Sequence, residues 1–149
     1  MKTEDIKQII LENSNEVARL HSAMHETHRR RDESAQAREA WTQAAREFNT
    51  RFDRLAFPGG YDGALDRLLA GDALAMEAAI CFLELRPYFF HSGFMFKDLL
   101  RKSRKAPLSP QQKSRLDAIE VAVVEWRQNK LSVNRKTANS HSLRTTTNG

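Results

Sequence analysis

One long stretch without proline or glycine constrains this fold more than any other feature. From Ser14, a suitable helix N-cap, to Ala56 the chain contains neither residue. Proline and glycine most often end helices, so their absence predicts one very long helix. Its second half has apolar residues at alternating spacings of four and three, typical of a helix that packs along one side. This apolar seam comprises Trp41, Ala45, Phe48, Phe52 and Leu55.

The middle of the same stretch, residues 25–39, is almost entirely polar. A polar segment of this length projects from the body, bridges two packed halves or breaks into a loop. We expect the helix to bend there or to have a solvated middle. Before it, Thr3 is expected to cap a short first helix. Residues 13–15 (Asn-Ser-Asn) are expected to interrupt this helix or to start a new one.

The second half of the chain has clear breaks and helix caps. Residues 57–63 (Phe-Pro-Gly-Gly-Tyr-Asp-Gly) form the strongest break. Asp72 is expected to cap the most buried helix, and Ser109 with Gln112 to start the last one. These patterns predict an all-α fold, an irregular antiparallel bundle of four to six helices with one long helix in the N-terminal half. Residues 1–131 are expected to form one domain, and the polar residues 132–149 a disordered tail.

The charge distribution, the length of the apolar runs and the cysteine content indicate the cellular compartment of the protein. The net charge is +5 at pH 7, and residues 101–149 have eleven basic side chains against three acidic ones. The longest apolar run, within residues 78–85, is too short to cross a membrane, and no apolar secretory segment follows Met1. The single cysteine, Cys81, lies in an apolar helix and cannot form an internal disulfide. We expect a cytoplasmic protein without a cofactor.

An aromatic segment at residues 86–96 is the most distinctive sequence feature. Its aromatic residues are Tyr88, Phe89, Phe90, Phe94 and Phe96. Pro87 is expected to hold Arg86 extended, and Gly93 to take a positive φ, so that the segment reverses the chain between two helices. In one interpretation its rings fill the core. In the other, some remain exposed and form a contact patch.

Three histidines and an aspartate have a spacing that suggests a metal site. His21, His25, His28 and Asp32 lie on one side of a helix, at i, i+4, i+7 and i+11. Four residues over three turns cannot converge on one ion, so a site would need ligands from elsewhere. A solvated helix face is the favoured interpretation, and no metal is predicted.

Catalytic signatures are absent from the sequence. Ser92-Gly93 lacks the strand-to-helix context of a nucleophile elbow, and no glycine-rich phosphate loop occurs. Burial is expected to raise the pKa of Cys81, which makes its thiolate scarce. Glu77 and Glu84 share a helix face and are interpreted as two surface acids. We therefore lean towards a protein that is not an enzyme.

Two basic clusters are candidate contact sites for phosphate or for a partner. They comprise Arg29, Arg30 and Arg31 in one, and Arg101, Lys102, Arg104 and Lys105 in the other. Clustered cations neutralise phosphates, which predicts salt-sensitive binding of nucleic acid. Cations at a helix C-terminus also stabilise its dipole without any ligand, and no known nucleic-acid motif is present.

Residues 82–94 and the fragments Leu99-Leu100-Arg101 and Arg104-Lys105-Ala106-Pro107-Leu108-Ser109 resemble small, uncharacterised all-helical bacterial proteins. Some of these are similar to immunity-like proteins of toxin systems. The resemblance covers residues 82–109. It implies a helical fold and a binding role rather than a catalytic one, and it transfers no functional residue.

These observations predict a non-enzymatic helical interaction protein, cytoplasmic and bacterial, that binds a protein partner in an immunity- or adaptor-like role. The seam from Trp41 to Leu55 needs a partner, either an internal helix or a second chain, which makes a homodimer one expectation. The alternatives are a nucleic-acid-binding protein that uses the basic clusters and a helical metal-dependent hydrolase.

Overall fold

The computed structural model describes the backbone of residues 1–146 and the side chains of residues 1–136. This part of the chain is all helical. Its six helices are α1 (Thr3–Arg30), α2 (Ala35–Ala56), α3 (Ala64–Leu69), α4 (Ala73–Leu85), α5 (Ser92–Ser103) and α6 (Pro110–Thr146). The predicted all-α bundle of four to six helices is confirmed.

The N-terminal stretch folds back on itself to form an α1–α2 hairpin. The long N-terminal helix is present as α1, which runs unbroken through residues 13–15 and ends at Arg30. Lys2, not Thr3, occupies its N-cap position. The polar middle therefore neither bends nor remains a solvated helix. It turns at residues 31–34, where the Ser34 hydroxyl caps α2 by accepting a hydrogen bond from the amide of Ala37 at 3.0 Å.

The seam of α2 finds its partner within the chain. Trp41 meets His28 of α1, with ring centroids 5.3 Å apart, and Phe48 lies 5.5 Å from the ring of His21. Phe52 in turn packs edge-on against Phe89 at 6.3 Å. Because these internal contacts occupy the seam, it gives no reason by itself to expect a second chain.

Helix α4 is the centre of the core. It packs against α1, α3, α5 and α6, as the sequence predicts for the most buried helix. Ala78 and Ala79 are fully buried, and such small side chains allow neighbouring helices to approach closely. Phe82 is also fully buried, and burial of a side chain of this size contributes about 2–3 kcal/mol.

The predicted caps of the second half are confirmed. Asp72 caps α4 by accepting a hydrogen bond from the amide of Ala75 at 2.9 Å. At the start of α6 the Ser109 hydroxyl accepts from the Gln112 amide at 3.1 Å. The Gln112 side chain accepts from the Ser109 amide at 3.0 Å, which completes a capping box.

The chain reversal at residues 86–91 uses other residues than the sequence predicts. Arg86 is not extended but left-handed, with φ 48° and ψ 60°. His91 is also left-handed, with φ 68° and ψ 1°, whereas Gly93 lies inside α5 and has no positive φ. The buried Ser92 hydroxyl then holds the turn by accepting a hydrogen bond from the amide of Phe89 at 3.0 Å.

Helix α6 runs to Thr146, past Leu131, where the sequence places its end. Disorder of the polar tail in solution stays a prediction. Residues 147–149, and the side chains of residues 137–146, including Arg144, lie outside the described part of the chain. Among the residues that the structure describes, no helix is both long enough and apolar enough to span a membrane.

Candidate functional site

A groove of about 1020 Å³ runs beside the aromatic segment and collects residues from four parts of the fold. One wall comes from α1 and one from residues 86–91. The first turns of α5 and one face of α6 complete it. The α6 face consists of Val123, Trp126, Arg127 and Lys130, at i, i+3, i+4 and i+7. The groove therefore exists only because these helices pack together.

Arg86 and two aromatic rings form one side of the groove. The guanidinium carbon of Arg86 lies 3.9 Å from the centroid of the Trp126 ring and 6.0 Å from that of Phe96. A guanidinium over an aromatic face is a cation–π contact. It connects the end of α4 to α6 and holds Trp126 in place.

A stack of rings forms another part of the groove wall. His21 of α1 stacks on Phe90, with centroids 5.0 Å apart and planes inclined by 25°. Its Nε2 lies 3.2 Å from Nε2 of His25. Partial burial, followed by the neighbouring His25, lowers the pKa of His21 below its ordinary value.

The aromatic segment divides between core and surface. Phe89 is buried at 8% exposure and Phe96 is partly buried, whereas Tyr88 is 93% exposed and Phe94 is 68% exposed. Phe90, at 41%, lies between the two groups. Both interpretations of the segment therefore describe part of it, because some rings pack the fold and others face solvent beside the groove.

The charged side chains that line the groove are all cations. Its charged residues are Arg86, Lys97, Arg127 and Lys130, and no aspartate or glutamate lines it. None of the four forms an ion pair in the described part of the chain. Sequence reasoning missed this set. The i, i+3, i+4, i+7 pattern that combines Val123 and Trp126 with Arg127 and Lys130 is the signal that indicates it.

The basic clusters predicted from sequence lie outside the groove. In the first, Arg31 packs over Trp41 at 5.9 Å and donates to the carbonyl oxygen of His28 at 2.8 Å. In the second, Arg101 pairs with Asp98 and Arg104 with Glu120. Exposed positions hold Arg29, Arg30 and Lys105, and Lys102 is partly exposed. Part of the charge in each region is therefore already used within the chain or balanced by an acid.

The metal candidates separate into three environments. His21 and His25 come together, His28 turns towards Trp41, and Asp32 pairs with Arg38 at 2.5 Å. Among the described residues, no three His, Cys, Asp or Glu side chains are grouped so that they could hold a metal ion.

Glu77 and Glu84 are not two free surface acids. Arg115 of α6 donates to both carboxylates, and its Nη2 lies 3.7 Å from Sγ of Cys81. Burial raises the pKa of the Cys81 thiol, as expected from the sequence. For Glu84, burial acts to raise the pKa, but hydrogen bonds from Arg115 lower it overall. This cluster joins α4 to α6, and Arg115 forms an ion pair with each of its acids.

No family model matches this chain, and neither does any curated protein or solved structure.

Proposed function

We propose that this chain is a non-enzymatic interaction protein that binds a protein partner at the groove beside the aromatic segment. One observation carries the proposal: Tyr88 is 93% exposed and Phe94 is 68% exposed, next to a groove of about 1020 Å³. Exposed aromatic rings beside a concave surface are typical of protein interfaces, where a few such residues supply most of the binding energy.

The aromatic geometry favours a protein over a nucleic acid. Single-stranded nucleic acid needs open ring faces on which successive bases stack. In this groove Arg86 covers a face of Trp126 at 3.9 Å, and His21 covers a face of Phe90. Tyr88 and Phe94 are the rings that remain mostly exposed, and a folded partner can bury them.

An immunity- or adaptor-like role in a bacterial cytoplasm is the setting that we propose for this binding. The sequence resemblance over residues 82–109 supports it, as does Cys81, which is fully buried and has no disulfide partner. No observation favours the metal-dependent hydrolase, because its four candidate residues are divided among three environments.

A comparative pull-down tests the proposal. The wild-type chain and a Tyr88→Ser/Phe94→Ser variant are used as baits in extracts of the source cells. A Leu11→Ser/Val121→Ser variant serves as the control, since Leu11 and Val121 are exposed apolar residues outside the groove. We expect one protein to be recovered reproducibly by the wild type and the control and lost with the aromatic variant. Recovery of nucleic acid alone, or equal recovery by all three baits, contradicts the proposal.

A further inference from the structure

We propose that the occupant of the groove is an acidic segment of the partner that has a large apolar side chain among its carboxylates. The inference rests on the proposed function, because it specifies the chemistry of the same partner. Its basis is the set of residues that line the groove, which includes four cations and no carboxylate.

Several cations outside the groove have carboxylates of this chain as partners, whereas others, such as Arg29 and Arg30, form no ion pair among the described residues. Arg19 and Arg51 share Glu16, Arg38 pairs with Asp32, Arg101 with Asp98, Arg104 with Glu120, and Arg115 with Glu77 and Glu84. The groove has four cations and no acid. Such a surface repels cationic partners and attracts anionic ones, which makes its charge complementary to carboxylates.

The cations are arranged along the groove rather than at one point. Arg127 and Lys130 are three residues apart and therefore neighbours on the surface of α6, and Lys97 lies on α5. Two helices thus present positive charge to one channel. This arrangement suits a chain with several carboxylates better than a single small anion, and arginine can hold a carboxylate through two hydrogen bonds.

Apolar surface lies next to this charge. Trp126 shares the α6 face with both cations, and the exposed Tyr88 also lines the groove. The exposed ring of Phe94 lies 5.7 Å from that of His91, which is a lining residue. A purely acidic chain would leave these rings uncovered. An aromatic or aliphatic side chain between carboxylates would bury them, and rings of this kind contribute strongly to interfaces.

Two residues with left-handed backbone conformation lie in the groove wall formed by residues 86–91. Arg86 and His91 are the non-glycine residues with positive φ in the described chain, and both line the groove. Backbone strain of this kind costs energy and often marks a binding site. Here it places the Arg86 side chain against Trp126 and the ring of His91 4.1 Å from that of Phe90.

Fluorescence titration tests the inference directly. A Trp41→Phe background leaves Trp126 as the single tryptophan. The probe is a short synthetic peptide of alternating glutamate and phenylalanine. Its comparators are the same peptide with lysine for glutamate, polyglutamate of equal length and single-stranded oligothymidylate. We expect a saturable change in Trp126 emission that is strongest with the acidic aromatic peptide and weaker at high salt.

Matched charge reversals locate the binding. Lys97→Glu/Arg127→Glu/Lys130→Glu is expected to weaken binding of the acidic aromatic peptide by about tenfold or more. The control, Lys102→Glu/Lys105→Glu/Lys136→Glu, changes the net charge equally outside the groove and is expected to have a much smaller effect. Circular dichroism of each variant confirms that it is folded.

The outcomes separate the inference from the proposed function. In one outcome, the Tyr88→Ser/Phe94→Ser variant loses the protein partner while the groove charge reversal changes binding of neither the partner nor the peptide. In that case the inference of an acidic occupant is wrong and the protein-binding function stands. If both variants keep the partner, the function itself fails. No saturable signal from the acidic aromatic peptide, or tighter binding of oligothymidylate, also overturns the inference.

Discussion

The guanidinium carbon of Arg86 lies 3.9 Å from the centroid of the Trp126 ring and joins the end of α4 to α6. A cation–π contact contributes roughly 0.5–2 kcal/mol. The left-handed backbone that positions Arg86 costs a non-glycine residue roughly 1–2 kcal/mol. Because the two energies nearly cancel, we infer that this contact shapes the groove more than it stabilises the fold.

The balance at Arg86 predicts different results for two small substitutions. Arg86→Ala removes the cation–π contact and keeps the left-handed strain, so the free energy of unfolding is expected to fall by about 1 kcal/mol. Arg86→Gly loses the same contact but relieves the strain and is expected to stay close to the wild type. Urea unfolding measures both. If the glycine variant is no more stable than the alanine variant, residue 86 is not strained.

Glycines 93 and 71 are predicted to respond in opposite directions to alanine. Gly93 lies in α5, and a β-carbon there would have no neighbour within 4 Å, so Gly93→Ala is expected to stabilise by about 0.5 kcal/mol. Gly71 has φ +85°, and a β-carbon there would lie 3.0 Å from Cγ of Pro107. Gly71→Ala is therefore expected to destabilise by at least about 1 kcal/mol. Thermal unfolding compares the two, and a loss of stability in Gly93→Ala would contradict its placement in α5.

The contact of Arg115 with Glu84 predicts a pH dependence. The pKa of Glu84 is lowered in the folded chain, so its contribution to stability is complete above its ordinary pKa of 4.5 and is lost as the pH falls below that value. Arg115→Gln is expected to lower the free energy of unfolding by about 2 kcal/mol near neutral pH. The variant is then expected to lose less additional stability than the wild type when the pH is lowered. Melting temperatures followed from neutral to acidic pH measure both effects. If the melting temperature of the variant falls with acidic pH as steeply as that of the wild type, the contact of Arg115 with Glu84 is not the cause of that fall.

Cys81 is predicted to react with thiol reagents only when the chain opens. Its side chain is fully buried, so a reagent cannot readily reach the sulfur in the folded state. Burial also raises the pKa of the thiol, so little of it is present as the reactive thiolate. A chromogenic disulfide reagent should react slowly with the native protein and at once in strong denaturant. Fast reaction of the native chain would show that α4 opens readily, contrary to its central place in the core.

The sequence predicts the helical class and several helix ends because those features depend on residues close together in the chain. Asp72 meets the amide of Ala75, and Ser109 exchanges hydrogen bonds with Gln112, each across three residues. The buried position of Cys81 also follows from its apolar neighbours. The turn after Arg30 was harder to predict, because the polar middle has no glycine or proline to mark it.

The candidate site depends on long-range packing and was only partly predicted. The sequence identifies the aromatic segment but assigns its reversal to Pro87 and Gly93, whereas Arg86 and His91 adopt the left-handed conformations. The ring over which the Arg86 guanidinium packs, Trp126, is far away in the chain. The groove cations on α5 and α6 likewise form one surface only when the helices pack together.

Composition and local pattern by themselves determined that this chain is all helical, where α4 and α6 begin and that Cys81 is buried. Tertiary structure alone decided the α1–α2 hairpin, the capture of Glu77 and Glu84 by Arg115, and the groove between α1, residues 86–91, α5 and α6. The physical reason is the distance along the chain over which each interaction acts. Helix periodicity and capping act over three or four residues, while side chains from separate helices share a surface only after the core has packed.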